Sequence, residues 1–187
     1  VRSSAASDVY KRQIMDRLML VLPTEQHKQT VWDYREEFLC NQDSMDGTGG
    51  LANAQSFEEW YQNNVNNRSE ETVREGLVPA TTFLGVEKES GKLVGMIDIR
   101  HRLNEYLLQF GGNIGYSVRP SQRRKGYATE MLALALEECR KLGLDRALVT
   151  CDKTNIGSAK TIQKNGGVLE NEVLEGDRIT QRYWIAL

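Results

Sequence analysis

The stretch best suited to chemistry runs from Gly115 to Thr129 and reads Gly-Tyr-Ser-Val-Arg-Pro-Ser-Gln-Arg-Arg-Lys-Gly-Tyr-Ala-Thr. A β-prone run passes through a basic turn directly into a helical pattern, and that geometry suits an anion. The first turn of a helix presents backbone N–H groups that lack intrahelical partners, at the positive end of the macrodipole. Gly126 lets a phosphate approach the backbone with no Cβ in the way, and Arg123, Arg124 and Lys125 add positive charge. A solvated basic turn ahead of an amphipathic helix is the plainer reading of the same residues. A Walker-type loop is disfavoured, since it needs Gly-x-x-x-x-Gly-Lys followed by Ser or Thr and Tyr127 follows Gly126 here. The three spaced glycines of a dinucleotide fold are missing.

Such a turn needs a strand before it and a helix after it. Asn113 to Val118 reads as the strand, and Tyr127 to Leu142 places Met131, Leu132, Ala135, Leu136, Cys139 and Leu142 on one apolar stripe that stops at Gly143. Arg146 to Cys151 predicts a strand buried on at least one side. Asn155 to Asn165 predicts a short helix closed by Gly166-Gly167, and Val168 to Leu174 and Gln181 to Ile185 predict two last strands. Upstream, Leu18 to Leu22 reads as a strand ended by Pro23, after which Thr24 caps a helix with Val31, Trp32, Tyr34 and Phe38 at helical spacing. Asn41 to Asn53 holds Asp46-Gly47-Thr48-Gly49-Gly50 and no periodic apolar face, so a mobile surface loop is expected. Ser56 and Glu59 fit a capping box ahead of Phe57, Trp60 and Tyr61, and a second short helix is expected over Ser69 to Glu75. Thr81 to Glu87 and Lys92 to Ile99, separated by Glu89-Ser90-Gly91, read as a hairpin. The order is mixed α/β (α+β), without internal repeats.

The 187 residues fit one domain, taken as 15–187, and 40% hydrophobic with 27% charged residues is ordinary for a folded chain. The opening Val1 to Gln13 is rich in Ser and Ala and reads as an extraneous linker or cloning remnant. A net charge of -2 gives no global positive field for nucleic acid. No apolar run approaches the roughly 20 residues that cross a bilayer, and the N-terminus lacks a signal-peptide core, so no membrane partner and a cytoplasmic location are expected. Cys40, Cys139 and Cys151 are odd in number and far apart, and the histidines are His27 and His101, so neither disulfides nor a metal site is expected.

At the basic turn the chain resembles the GNAT superfamily of N-acetyltransferases, whose pyrophosphate loop reads Gln or Arg, two residues, Gly, one residue, then Gly or Ala. Arg123-Arg124-Lys125-Gly126-Tyr127-Ala128 matches it, between a strand ending Tyr116-Ser117-Val118-Arg119-Pro120 and a long helix. Downstream, Val149-Thr150-Cys151-Asp152, Asn155-Ile156-Gly157-Ser158 and Asn165-Gly166-Gly167 resemble the family's next strand and its Asn-containing helix. The likeness spans roughly Leu18 to Leu187 and is nearest to a group of bacterial acetyltransferases whose acceptors it does not supply. It implies a mostly antiparallel central sheet flanked by helices and splayed at the cofactor-binding strands. It implies acetyl-CoA as acyl donor and transfer to a primary amine of a small molecule or peptide by direct attack on the thioester; a homodimer is left open. Backbone groups around Val118 would meet the pantetheine and acetyl carbonyl, and Arg123, Arg124, Lys125, Gly126, Tyr127 and Ala128 would hold the pyrophosphate, with a hydroxyl from Thr129. The pantetheine arm can pair like an added strand between Asn113 to Val118 and Arg146 to Cys151, with Asn155 and Ser158 on the far wall. Asn155 as a plain helix N-cap and Ser158 bonding back to a carbonyl are the alternatives.

Attack by an alkylamine of pKa ~10.4 requires loss of a proton near neutrality. His101 and Glu105, just after the strand at Lys92 to Ile99, are the candidate bases, and an ordinary surface role is the alternative for each. Many relatives protonate the leaving thiolate with a Tyr on the Asn-containing helix; the matching position here is Ile162, leaving Tyr116, Tyr183 or solvent as substitutes. Between Asn41 and Val78, where relatives build the acceptor wall, Glu58, Glu59, Glu70, Glu71 and Glu75 could draw in a cationic amine or simply be solvated. Two other functions stay in view: a non-catalytic acyl-CoA sensor, and a nucleic-acid module on Arg119, Arg123, Arg124 and Lys125, against which the acidic remainder and lack of interleaved aromatics speak.

Overall fold

The computed structural model describes residues 16–187; the expectation for Val1 to Gln13 lies outside them. Seven strands form one sheet in the order β1-β2-β3-β4-β5-β7-β6. They are β1 (Leu18–Val21), β2 (Ala80–Glu87), β3 (Leu93–Arg100), β4 (Ile114–Val118), β5 (Arg146–Asp152), β6 (Val168–Glu175) and β7 (Arg178–Ala186). Every neighbouring pair is antiparallel except β4 with β5. β3 is buried continuously from Leu93 to Ile99, as a strand covered on both faces must be.

The helices supply that cover. On one face α3 (Tyr127–Lys141) lays Met131, Leu132, Ala135, Leu136 and Cys139 over Ile97, Ile99 and Val149, joined by Ile162 of α4 (Ile156–Lys164). On the other, α1 (Lys28–Cys40) and α2 (Phe57–Asn66) pack Val31, Tyr34, Phe38, Phe57 and Trp60 against Leu84, Val86 and Met96. Ser56 caps α2 by accepting the Glu59 N–H at 3.1 Å. A short 3-10 turn, Glu25–His27, separates Thr24 from α1, so Thr24 does not cap that helix itself.

Three departures from the sequence pattern bear on the site. The segment from Asn41 to Asn53 is anchored rather than mobile: Leu51 is fully buried, Thr48 is 2% exposed, and Trp60 Nε1 donates to the Thr48 carbonyl at 2.7 Å. Gly47, at φ 68°, lies so close to β4 that a Cβ there would overlap the Gly115 carbonyl. Glycines let this backbone rest on the sheet, and one leucine pins it, a pattern with no period to detect. Ser69 to Glu75 forms turns, not a helix, with the Val73 N–H on the Ser69 carbonyl at 2.9 Å; without an apolar face nothing holds a longer helix there. A π-helical turn, Leu107–Gly111, sits unpredicted between β3 and β4.

The parallel pair is the exception that shapes the molecule. β4 and β5 share one register pair, Ile114 with Val149, and then part. Their outer edges stay paired, β4 with β3 from Ile114 to Val118 and β5 with β7 from Arg146 to Asp152. Asn113, 2% exposed, stitches the apex: its N–H donates to the Leu148 carbonyl at 2.7 Å, its Oδ1 accepts the Leu148 N–H at 2.8 Å, and its carbonyl accepts the Arg100 N–H at 2.7 Å.

Because Leu51 is an anchor, Leu51→Ala is expected to lower unfolding free energy by about 2–5 kcal/mol, the range for deleting a buried leucine. Urea denaturation measures it; a change near zero would show the segment to be the loose loop its composition suggests.

Candidate active site

The parted strands open a cleft of about 990 Å³. Its floor is β4 from Ile114 to Val118 and β5 from Thr150 to Asp152; the turn from Gln122 to Thr129 lines it together with Asp43, which pairs with Arg123, and Asp46, Arg100, Phe110, Glu175 and Arg178 line it elsewhere. Beyond Ile114 and Val149 neither strand has a register partner on its inner edge, so an extended, amide-bearing ligand can complete the sheet there.

At the turn, the backbone is shaped for an anion. Gly126 adopts φ 81° ahead of α3, and Arg124 is left-handed too at φ 60°. The first intrahelical bond is Glu130 N–H to Gly126 carbonyl, so the amides of Tyr127, Ala128 and Thr129 have no acceptor within the helix. A Cβ on Gly126 would meet no more than the Arg17 guanidinium at 3.4 Å; its positive φ, rather than crowding by the protein, is what calls for glycine.

The cations divide. Arg124 is exposed and lines the cleft. Arg123 also lines it, but its Nε donates to the Val118 carbonyl at 3.0 Å and its Nη1 to Asp43 at 2.6 Å, tying the turn to the segment after α1. The Val118 carbonyl thus already accepts one hydrogen bond, from Arg123. Lys125 Nζ turns to Gln122 Oε1 at 3.0 Å and is not on the cleft wall. Arg119 pairs with Glu37 at 2.6 Å; burial pushes the Glu37 carboxyl up, but hydrogen bonds from Ser121 and Arg119 outweigh it and hold the group below its usual range. Paired this way, Arg119 and Arg123 carry less free charge than their sequence spacing suggests.

Across the split, Tyr116 Oη lies 2.8 Å from Ser158 Oγ. Burial pushes the Tyr116 phenol up to about 12, only partly offset by that hydrogen bond, so it holds its proton at any ordinary pH. Cys151 beside it is raised to about 11, again mainly by burial, which makes it a poor nucleophile. Asn155 caps α4, its Oδ1 accepting the Ser158 N–H at 3.1 Å, and lines the cleft as well. Ile162 is fully buried in the core, and Tyr183 is buried with its hydroxyl on Gln181 at 3.0 Å, away from the cleft wall.

The two base candidates do not line the cleft. His101 Nε2 is 2.8 Å from Thr81 Oγ1, and burial lowers its pKa against the opposing pull of Asp98 and Glu70. Glu105 is exposed beside the π-turn. The cleft-lining carboxylates are instead Asp43, Asp46, Asp152 and Glu175. Burial pushes Glu175 up, but Thr180, Tyr106 and Arg178 together hold it below its usual range. Glu58 pairs with Lys28 and Glu70 with Arg102, and neither these nor Glu59, Glu71 and Glu75 reach the cleft.

Arg100 is the residue sequence reasoning overlooked here. Its Nε faces Asp98 at 3.0 Å, its Nη1 donates to Gly111 at 3.2 Å, and a Cβ on Gly115 would lie 3.2 Å from its Nη2. An arginine at a strand end carries no local signal; β3–β4 pairing sets Gly115 opposite Asp98, and the Arg100 side chain reaches diagonally to it. Among the described residues no cluster of His, Cys, Asp or Glu could hold a metal ion, and no helix is long and apolar enough to cross a membrane.

The sequence pattern of the acetyltransferase (GNAT) domain family matches residues 17–168. No curated protein matches the chain. Among solved structures, the chain is similar to the Microcin C7 self immunity acetyltransferase in complex with acetyl-CoA and AMP, at TM-score 0.67 and 15% identity over 94% of this chain and 95% of that one. It is similar to the ribosomal-protein-S5-alanine acetyltransferase of Vibrio fischeri, at TM-score 0.67 and 16% identity, covering 91% and 93%. A third, from Salmonella typhimurium, modifies the N-terminal serine of ribosomal protein L7/L12 and aligns at TM-score 0.63 with 19% identity, covering 93% and 97%. At such identities the likeness shows the fold.

The division of the cations has a measurable consequence. In calorimetric titration with acetyl-CoA, Arg124→Ala is expected to weaken binding and flatten its salt dependence, while Lys125→Ala stays within about twofold of wild type, less than the effect of one surface ion pair. Equal losses would contradict the geometry.

Proposed function

The chain belongs to the GNAT acetyltransferase family, whose members are acetyl-CoA-dependent N-acyltransferases, and we propose that its cleft moves an acetyl group to a primary amine of a small molecule or peptide by direct attack of that amine. The observation that carries this reading is the split between β4 and β5, lined by an anion-shaped turn and by charged side chains elsewhere. The fit of the donor rests on this chain's own geometry. The amides of Tyr127, Ala128 and Thr129 and the exposed Arg124 suit a pyrophosphate, and the unpaired inner edges of the strands suit the amides of a pantetheine arm. When bound, acetyl-CoA supplies an activated acetyl carbonyl and a thiol leaving group.

Tyr116 is the proton donor the cleft offers to the thiolate that leaves as the acetyl C–S bond breaks. It is on the wall, and its raised pKa keeps the proton at Oη. Ser158 orients the hydroxyl, which gives that residue a role beyond its place in α4. Asp43, Asp152 and Glu175 on the wall are held below the usual carboxylate range, so the amine enters through its own neutral fraction and the ammonium formed on attack gives its proton to water. Asp46 and Glu175 give the mouth negative charge that favours an approaching cation, and Arg100 and Arg178 set limits on where it sits. The peptide-directed enzymes among the similar structures support an amine on a peptide as readily as one on a small molecule.

Screening amines, peptides and polyamines for acetyl-CoA-dependent thiol release tests the reading. Wild type should bind acetyl-CoA and release thiol with at least one acceptor class. Gly126→Glu should abolish binding, since it forces a left-handed φ on a larger residue and puts a negative charge at the phosphate site; unchanged affinity in that variant would sink the assignment of the turn. With a working acceptor, kcat should rise with pH through the amine's own pKa and show no falling limb, because Tyr116 stays protonated to about 12. Tyr116→Phe should lower kcat by about a hundredfold, the low end for a positioned acid. A falling limb below about pH 9 that persists in Tyr116→Phe would assign the acid elsewhere.

A further inference from the structure

Glu130 stands in the first turn of α3 with its side chain 1% exposed. A buried anion next to an anion-binding turn opposes the ligand unless a cation compensates it. Arg17, just ahead of β1, does so. Glu130 Oε1 accepts the Arg17 N–H at 2.6 Å and the Leu18 N–H at 2.8 Å, and Oε2 faces Arg17 Nε at 3.1 Å. From that anchor the guanidinium spans the turn. Its Nη1 donates to the Lys125 carbonyl at 2.9 Å, its carbon lies 4.6 Å from the centre of the Tyr127 ring, and its Nη2 is 3.4 Å from where a Cβ on Gly126 would be.

One side chain therefore meets the Lys125 carbonyl and the Tyr127 ring and lies alongside Gly126 between them. That stretch follows Arg124, which is held in a left-handed conformation that a non-glycine residue resists. Conformations of this kind persist only where surrounding contacts over-determine them. We propose that Arg17 is a positioning residue that holds the Arg124 to Tyr127 turn in its anion-binding shape, with Glu130 as its anchor. The role rests on the reading of that turn as the acetyl-CoA pyrophosphate site. It makes donor affinity depend on a residue more than a hundred positions earlier in the chain, at the entry to β1.

Two variants and two measurements test it. In calorimetry with acetyl-CoA, Arg17→Ala should bind about tenfold more weakly, the equivalent of one charge-assisted hydrogen bond, at unchanged stoichiometry. Arg17→Lys keeps the charge but cannot bridge Glu130 and the Lys125 carbonyl together, and should lose part of that. In hydrogen exchange without ligand, amides over residues 123–130 should exchange faster in both variants while β5 and β7 keep wild-type rates. If Arg17→Ala does not fold, Arg17→Lys carries both measurements. Affinity within about twofold of wild type in the folded variants, or faster exchange across the whole sheet, overturns the positioning role. Wild-type binding with unchanged variants removes only the role of Arg17; no binding by the wild type removes the reading of the turn and this role with it.

Discussion

The structure depends on one incomplete ladder. Parallel strands β4 and β5 pair at Ile114 and Val149 and no further, although each is fully paired on its other side. A sheet interior with unpaired backbone groups is costly when buried, so the gap persists as an open cleft rather than closing over. Asn113 sets where it begins, since its side chain and main chain together satisfy Leu148 and Arg100 at the apex. Everything chemical lies below that stitch.

Charge at the basic turn works differently from a simple cluster of cations. Arg119 and Arg123 are held by Glu37 and Asp43, both carboxylates brought in from α1 and the segment after it. These pairs leave the turn less free positive charge but make it more rigid, tying it to α1 and the segment after it. What remains for an anion is mainly backbone, the first-turn amides of α3, with Arg124 beside them. A preorganised backbone site loses little entropy on binding, which suits a ligand that must be both held and released.

Burial governs which groups on the cleft floor keep their protons. Tyr116 comes from β4 rather than from α4, where Ile162 fills the core instead. A phenol between two strands, sharing a hydrogen bond with Ser158 across the gap, is poorly solvated, and poor solvation disfavours the phenolate. The same desolvation raises Cys151, so the cleft floor carries protonated groups and presents no competing nucleophile.

Much of this was written in local pattern. The strand, basic turn and helix from Gly115 to Lys141, the β2 and β3 hairpin and the capped short helices all follow from periodicities of two or 3.6 and from cap and turn residues, which act within a few positions. Gly126 and the residues after it were legible for the same reason. Contacts between distant residues were not. That Leu51 anchors a polar segment, that His101 and Glu105 lie off the cleft, and that Arg17 reaches the basic turn and Arg100 the neighbourhood of Gly115 are outcomes of register and packing. Such contacts join residues tens of positions apart, and a single chain carries no local signal for a partner that only the folded sheet brings near.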